Sequence, residues 1–207
     1  MSQVSLDQMS RSLLASPTLI SFPTDTVPAL ATLPKNAQLI YAAKQRSLKK
    51  PLILMGASFY DLSPYIKGNV AEMERWQAVC DRHWPGQLTL VLPASDLTPR
   101  NLNPLNAGSA DTNTADANSL EANTIGIRVP SHPIALKLLA QTGPLATTSA
   151  NLSGQPPLTT AADIARTFPT ALTLAAELYT NASGQPSTVA KWSAAGWQVL
   201  RQGKIHL

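Results

Sequence analysis

The sequence predicts an α/β protein, a single domain in which a twisted, mostly mixed sheet is flanked by helices. Short apolar runs rich in strand-forming residues alternate along the chain with segments whose apolar residues recur at helical spacing. The length of 207 residues suits one domain with a sizeable core, which we expect to span residues 1–207. Hydrophobic residues make up 44% of the chain, which excludes disorder of the whole chain.

The first elements follow from apolar spacing. Leucines and a methionine at helical intervals predict a helix over residues 6–14, and the apolar residues 18–22 predict a strand after it. Asn36 is expected to cap a helix that runs to Lys44, because asparagine side chains accept hydrogen bonds from the first free amides of a helix. Residues 51–55 then read as a buried strand.

The second half begins with a long helical pattern over residues 70–82 and a strand pattern over residues 87–93. Residues 101–123 are rich in Asn, Ala, Ser, Thr and Asp without a period, which predicts a loop insertion, exposed or partly disordered. The remaining expected elements are a strand over 124–130, a helix capped by Ser131, a strand over 144–149, a helix over 161–168, and strands over 187–192 and 197–201.

Composition excludes several classes of protein. No stretch approaches the ~20 apolar residues that a membrane-spanning helix needs, and residues 1–11 lack the pattern of a signal peptide. A single cysteine, Cys80, excludes an internal disulfide framework and a multi-thiolate metal site, and the cytoplasm is the expected compartment. The common glycine-rich nucleotide-binding motifs are also missing, so any nucleotide site is unconventional.

A cationic segment is the first candidate for function. Between Thr26 and Tyr60 the chain has no acidic residue, yet it carries five cations, among them Lys44, Arg46 and Lys50. A guanidinium and an ammonium beside a loop can converge on phosphate oxygens. Solvated cations that complement the dipole at the end of a helix explain the pattern equally well.

Two strands offer further candidates. In the strand at 144–149 and the residues after it, Thr147, Ser149 and Asn151 should project to one side, where they could hold a polar ligand or simply form a strand end and turn. In the strand at 124–130, Thr124 and Arg128 should share a face with a glycine between them. A buried arginine needs a partner, either a ligand anion or a structural Asp or Glu.

The C-terminal tail supplies hydroxyls at Ser187 and Thr188 and cations such as Arg201, with no acid after Glu177. It could close over the same anion, or it could be a solvated basic tail. Cys80 and His83 lie three residues apart, but a buried thiol and a helix-end imidazole explain them better than a catalytic pair.

Seven segments in this order resemble the YrdC/TsaC family, the threonylcarbamoyl-AMP synthases of tRNA modification. The resemblance runs from about residue 13 to residue 205. The segments are Phe22-Pro-Thr-Asp-Thr26, Lys44-Gln-Arg46 with residues 50–55, Trp84-Pro-Gly86 with residues 88–92, residues 125–130 with His132-Pro133, residues 148–154, residues 186–188, and residues 200–203.

The resemblance implies a concave basic surface on which L-threonine, bicarbonate and ATP, with Mg²⁺, react to threonylcarbamoyl-AMP and pyrophosphate. No tightly bound cofactor and no protein metal site are expected. Partner proteins would then pass the carbamoyl group to tRNA, which the chain itself could also bind. By motif, the implied residues are Lys44, Arg46, Ser149 and Asn151 for catalysis; Arg46, Lys50, Thr124, Ser149, Pro157 and Arg201 for ATP; and Thr26, Met55, Arg128, Thr147 and Ser187 for threonine.

The chain departs from the family pattern after Thr26: the family usually has an aromatic-Gly pair after this motif, whereas this chain has Val27-Pro28-Ala29-Leu30. Proline removes an amide donor and fixes φ, so we expect a differently shaped floor for the threonine site. A non-catalytic RNA-binding module that uses the same basic surface is the alternative function. An inactive relative is disfavoured by the intact set of Lys44, Arg46, Ser149 and Asn151.

Overall fold

The computed structural model describes residues 3–104, 123–180 and 182–207. Most of the predicted insertion at 101–123 therefore lies outside the described residues. The helices are α1 (Leu6–Ala15), α2 (Gln38–Lys44), α3 (Phe59–Leu62), α4 (Val70–His83), α5 (Pro133–Thr142) and α6 (Ala161–Thr167). The strands are β1 (Leu19–Phe22), β2 (Ala29–Thr32), β3 (Ile53–Met55), β4 (Leu88–Pro93), β5 (Thr124–Arg128), β6 (Leu145–Ser149), β7 (Ala171–Thr173), β8 (Thr188–Ser193) and β9 (Gly196–Arg201).

The described strands form one sheet in the order β7-β1-β2-β6-β3-β5-β4-β8-β9. The pairs β1/β7, β3/β5 and β4/β8 are parallel, whereas the other neighbours are antiparallel. The predicted mixed sheet flanked by helices is thus confirmed. Strands from distant parts of the chain become neighbours at its centre, which allows residues far apart in sequence to share one site.

One face of the sheet is closed by helices α2, α4 and α6. Its core includes Ile125, Ile127 and Val129 of the β5 segment, Trp76 of α4 and Ile40 of α2. The predicted alternation along β5 is therefore correct, because these three residues point into the core and the residues between them point to the other side.

The opposite side of the sheet is only partly covered. Helices α1 and α5 pack there on β1, β2, β6 and the end of β3, with Met9 and Leu138 among the fully buried residues. Among the described residues, this second cluster includes no member of β4, β5, β8 or β9. We call this side of β6, β3, β5, β4 and β8, which carries Ile53, Gly126 and Val91, the open face.

Several elements begin or end differently from the predictions. Asn36 does not cap α2, because it lies in a short 3-10 turn (Pro34–Asn36) and α2 begins after Ala37 with no side-chain cap. The cap of α5 is His132 rather than Ser131, since Pro133 occupies the first helical turn and the preceding residue is extended. The His132 ring accepts a hydrogen bond from the Ile134 amide through Nδ1.

Strands β2 and β7 were not expected from the sequence. Strand β2 has four residues, Ala-Leu-Ala-Thr, directly after Pro28, and β7 has three residues at the edge of the sheet. Runs this short carry little periodicity. Their places are decided by pairing with β1, which lies between them.

Candidate active site

Arg128 ends β5 and is buried, with 3% of its surface exposed. Its guanidinium donates from Nη2 to Asp25 Oδ1 at 2.9 Å, from Nη1 to Thr26 Oγ1 at 2.8 Å, and from Nε to the Gly86 carbonyl at 3.0 Å. Burial lowers the pKa of Arg128, and the Asp25 carboxylate opposes this effect. Of the two partners that the sequence left open, a ligand anion and a structural acid, the described residues supply the acid.

Ser187 and Arg201 form a second pair next to the open face. Arg201 Nε donates to the Ser187 carbonyl at 3.0 Å, and Nη2 donates to Ser187 Oγ at 3.2 Å. Ser187 Oγ also lies 2.8 Å from Thr89 Oγ1 of β4. The tail therefore folds back onto the sheet beside β4, and Arg201 is tethered to Ser187 while it stays exposed to solvent.

The two arginine clusters belong to one region. The Thr188 amide donates to the Gln87 carbonyl at 3.0 Å, so Ser187 lies beside the turn whose Gly86 carbonyl accepts from Arg128. A row of paired residues crosses the open face beside them, with Ile53 joined to Thr147 and Gly126, and Val91 joined to Gly126 and Lys191. Met55 pairs directly with Arg128 in the neighbouring row.

Gly126 leaves a depression at the centre of the open face, because it has no side chain. A Cβ atom at Gly126 would lie 3.6 Å from Ile53 Cγ2, an ordinary contact, so the backbone does not require glycine there. The absence of a side chain instead leaves space between Thr124 and Arg128, as the sequence suggested. Thr147 donates through Oγ1 to the Ile53 carbonyl at 3.1 Å and fixes the adjacent edge of this space.

Lys44 lies beneath the loop that follows β6, with 1% of its surface exposed. Its Nζ donates to Asn151 Oδ1 at 3.2 Å, to Thr148 Oγ1 at 3.4 Å and to the Ser149 carbonyl. Asn151 Oδ1 also accepts from Ser149 Oγ. Burial, together with the nearby charge of Arg46, lowers the pKa of Lys44 to about 7. Lys44 is therefore an internal support of the loop, and the reading of a solvated cation is wrong for it.

Arg46 is half-buried at the other side of this loop. Its Nε donates to the Lys50 carbonyl and its Nη2 to the Pro51 carbonyl, both at 3.0 Å, which holds the turn between α2 and β3. Because β3 and β6 are antiparallel with Ile53 opposite Thr147, Pro51 and Ser149 lie toward the same end of the two strands.

The remaining predicted ATP residues surround this end of the open face. The Leu158 amide donates to the Ala150 carbonyl at 2.9 Å, which brings Pro157 close to Ser149. Thr124 begins β5 and is half-buried, and Lys50 is exposed. The structure thus gathers the predicted residues along one face, with Arg128, Thr26, Ser187 and Arg201 toward one end and Arg46, Lys50, Thr124 and Ser149 toward the other.

Two residues that hold Arg128 are not among the predicted site residues. Asp25 lies in the Phe22–Thr26 segment and is the only acid between residues 8 and 60. Gly86 belongs to the Trp84-Pro-Gly86 segment of the resemblance, and its carbonyl accepts from Arg128. A Cβ at Gly86 would lie 2.4 Å from the backbone oxygen of His83, so the turn requires glycine. A lone acid in a cationic stretch was the signal that could have identified Asp25.

A cavity of about 190 Å³ lies beside Thr26. Its walls are mostly apolar and include both residues of the family departure, and they carry no charged side chain. The lining residues are Pro23, Thr26, Val27, Pro28, Thr159, Tyr179, Ala182 and Gly184. Of the predicted site residues it therefore touches Thr26, and the basic residues lie outside it on the more open surface.

Other titratable groups lie apart from this arrangement. Burial raises the pKa of the Cys80 thiol to about 12, which agrees with the reading of an inert buried cysteine. Within the described ranges, no three His, Cys, Asp or Glu side chains come together in a way that could hold a metal ion. No helix of the described residues is long and apolar enough to cross a membrane.

Comparison with known proteins connects this geometry to a family. The model of the Sua5/YciO/YrdC family, described as "Telomere recombination", matches residues 12–203. A threonylcarbamoyl-AMP synthase of Vibrio cholerae is 34% identical over 189 residues, which are 89% of this chain and 90% of that protein. A threonylcarbamoyl-AMP synthase of Pyrococcus abyssi is 38% identical over 154 residues, which are 72% of this chain but 40% of that protein.

Solved structures share the fold. A crystal structure of P. abyssi Sua5 complexed with L-threonine has a TM-score of 0.76 and 29% identity, and the match covers 97% of this chain and 55% of that one. Escherichia coli YciO has a TM-score of 0.71 at 22% identity, with 96% of this chain and 90% of that chain covered. The chain spans little more than half of the Sua5 structure. On the extent of the family match and the identity to its members, this chain belongs to the Sua5/YciO/YrdC family.

Proposed function

We propose that this protein is a threonylcarbamoyl-AMP synthase, a nucleotidyltransferase that makes threonylcarbamoyl-AMP and pyrophosphate from L-threonine, bicarbonate and ATP. The observation that carries the proposal is the clustering of distant cations and hydroxyls on one open face, in a chain that matches such synthases along most of its length. The product would serve tRNA modification in the cytoplasm, with partner proteins that transfer the carbamoyl group to tRNA.

The end of the face at Arg128 suits an amino acid. Three of the five guanidinium N–H groups are used by the described residues, and an arginine with donors to spare can bind a carboxylate. Thr26 adds a hydroxyl that contacts Arg128, and Ser187 adds one that contacts Arg201. Met55 and Thr147 lie on the adjoining strands. We assign this end to threonine, with Met55 toward its methyl group.

The end of the face at Ser149 suits a triphosphate. Arg46 and Lys50 would neutralise its charge at this end, and Arg201 would reach the phosphates from the Arg128 end. The Ser149 hydroxyl and Thr124 would orient the triphosphate. Pro157, near Ser149, would contribute backbone contacts. We propose that Mg²⁺ enters with ATP and lowers the charge of the phosphates; the protein's own part is to bring the carbamate and the α-phosphorus together in the correct orientation.

Within the catalytic set, Lys44 and Asn151 act through Ser149. Lys44 is too deeply buried to touch a nucleotide on the open face, but its ammonium holds the Ser149 carbonyl and the Asn151 side chain. Asn151 in turn accepts from the Ser149 hydroxyl and fixes its direction. We therefore propose that Lys44 and Asn151 are positioning residues, whereas Arg46 and Ser149 meet the substrate.

Release of pyrophosphate tests the proposed reaction. We expect turnover when threonine, bicarbonate, ATP and Mg²⁺ are all present and no turnover when any one is omitted. Arg128→Lys should raise the KM for threonine about 10-fold or more with little change in the KM for ATP, because lysine keeps the charge but loses the planar fork. Arg46→Ala should show the reverse pattern.

Arg166→Ala is the matched control, because Arg166 is exposed on α6 and pairs only with Asp163 among the described residues. Its kinetics should equal those of the wild type. Pyrophosphate release that does not depend on threonine, or equal effects of all three substitutions, would contradict the proposal.

A further inference from the structure

Asp25 has one carboxylate oxygen in use and one that is idle. Oδ1 accepts from Arg128 Nη2 at 2.9 Å and from the Ser131 amide at 3.0 Å. Oδ2 is buried and has no hydrogen-bond partner among the described residues. Asp25 itself is 7% exposed. A buried carboxylate oxygen that accepts no hydrogen bond lowers the stability of the fold. Its presence beside Arg128 therefore points to a donor that arrives with a ligand.

The charges around Asp25 match those of an α-amino acid. An amino acid carries its carboxylate and its ammonium on the same α-carbon. Arg128 offers a cation to the first, and the idle Oδ2 of Asp25 is an acceptor for the second. Because Arg128 and Asp25 are hydrogen-bonded to each other, the two complementary groups are already adjacent.

We propose that Asp25 Oδ2 binds the α-ammonium of the substrate amino acid and takes one proton from it. This inference rests on the proposed function, which supplies threonine and bicarbonate. The ammonium gives one proton to Oδ2, and this proton later passes to solvent. The freed lone pair forms the N–C bond with bicarbonate, the C–OH bond breaks, and the leaving hydroxyl takes a second proton from the nitrogen and departs as water.

The segment around Gly184 lies beside Asp25 and Thr26. The Ser183 amide donates to the Asp25 carbonyl at 3.0 Å and the Gly184 amide to the Thr26 carbonyl at 2.9 Å, so this segment lies along both residues. It also leads to Ser187 and lines the 190 Å³ cavity beside Thr26.

The first test needs no substitution. Isothermal titration calorimetry compares L-threonine with 3-hydroxybutyrate of matching configuration, in which hydrogen replaces the α-amino group. If Oδ2 binds the ammonium, the wild-type protein should bind threonine about 10- to 100-fold more tightly, the range of a hydrogen bond with charged partners. Equal affinities would overturn the proposal.

The second test asks whether Asp25 causes this preference. Asp25→Asn keeps the size of the side chain and an oxygen for Arg128, but removes the charge. We expect the ratio of the two dissociation constants to fall toward one, while Asp81→Asn, at an exposed carboxylate of α4, keeps the wild-type ratio. If Asp25 had a purely structural role, Asp25→Asn would weaken the binding of both ligands equally. The ratio of the two dissociation constants would then stay unchanged, which would also overturn the proposal.

Failure of this inference can be told apart from failure of the proposed function. Pyrophosphate release by the wild type with threonine reports on the function alone. If the wild type turns over but binds both ligands equally, the proposed function stands and the proposed role of Asp25 is wrong. If the wild type prefers threonine through Asp25 but releases no pyrophosphate, the amino-acid site stands and the proposed synthase activity is wrong.

Discussion

At the scale of single residues, Lys44 shows how one buried charge supports a site. Its ammonium is surrounded by three oxygen acceptors of the 148–151 segment, and the described residues form no ion pair with it. Hydrogen bonds compensate part of the cost of burial but not all of it, which is why the pKa falls from 10.5 to about 7. Near neutral pH the loop is thus held by an amine that can lose its proton.

This lowered pKa predicts a pH-dependent stability. Between pH 7 and 10.5 the unfolded chain keeps a proton on Lys44 that the folded chain has lost, so the free energy of unfolding should rise with pH in this window. From pH 7 to pH 9 we expect Lys44 to contribute a rise of about 2 kcal/mol. Urea denaturation of the wild type and of Lys44→Met measures this contribution as the difference between their slopes.

Lys35→Met is the control for this experiment, because Lys35 is exposed at the start of the same region and should show the wild-type slope. Toward pH 9 Cys80 ionises in the unfolded chain, near the ordinary pKa of 9.0, but stays protonated in the fold, which lowers the free energy of unfolding. Because both proteins contain Cys80, this contribution cancels in the difference between their slopes. A Lys44→Met variant with an unchanged slope would mean that the amine keeps its proton throughout.

The residues of the site differ in how far the sequence could reveal them. That Arg128 needs a partner followed from its place in a strand, but the partner lies 103 residues earlier and only strand order brings it close. Lys44 was selected through a family motif, and its burial could not be predicted because α2 places it below a loop that forms 104 to 107 residues later. Local sequence patterns indicate which buried charged side chains need a partner, whereas the order of the elements in the fold determines which residue is that partner.

At the scale of elements, the turn between α4 and β4 and the middle of β5 contain glycines with opposite requirements. Gly86 is confined by the His83 backbone, and its carbonyl orients Arg128. Gly126 has ordinary space around it on the open face. The sequence predicted the helix and the strand on either side of Gly86, and the strand that contains Gly126, because their patterns are clear. It did not predict β2 and β7, whose few residues are positioned by their neighbours.

These two glycines give a paired prediction. Gly86→Ala should destabilise the protein by about 1–3 kcal/mol, because the new methyl group meets backbone that cannot move aside cheaply. It should also raise the KM for threonine by displacing the acceptor of Arg128. Gly126→Ala should leave the free energy of unfolding within about 0.5 kcal/mol of the wild type but weaken substrate binding, because its methyl group fills space on the open face.

Chemical denaturation and steady-state kinetics of both variants provide the check. The prediction depends on the contrast between them. If Gly126→Ala lost stability while keeping its kinetics, the space above Gly126 would not be part of the site. If Gly86→Ala folded with normal stability, the turn would be able to relax, and its hold on Arg128 would be weaker than the geometry indicates.

At the scale of the whole molecule, exposed cations gather near the start of β3, at the end of the open face that contains Ser149. The Tyr41 hydroxyl bridges the Lys50 and Leu102 carbonyls, and Asn101 donates to the Lys35 carbonyl. These contacts bring together four exposed cations from three segments, and we call them the basic rim. Its members are Lys35, Lys49, Lys50 and Arg100. The net charge of +4 gave little sign of this concentration, because the balancing acids lie elsewhere in the chain.

The basic rim is also where the alternative function, an RNA-binding module, is best tested. Four cations should give weak binding of single-stranded RNA whose logarithmic affinity falls with the logarithm of salt concentration at a slope of about −3. Because Lys50 is proposed to serve ATP, saturating ATP with Mg²⁺ should displace the RNA. Fluorescence anisotropy of a labelled oligonucleotide measures both effects, with Lys49→Glu expected to weaken binding and Lys67→Glu, outside the rim, expected to change it little. RNA that stays bound with equal affinity in saturating ATP would separate the rim from the nucleotide site, and tight binding of that kind would favour the RNA-binding module over the synthase.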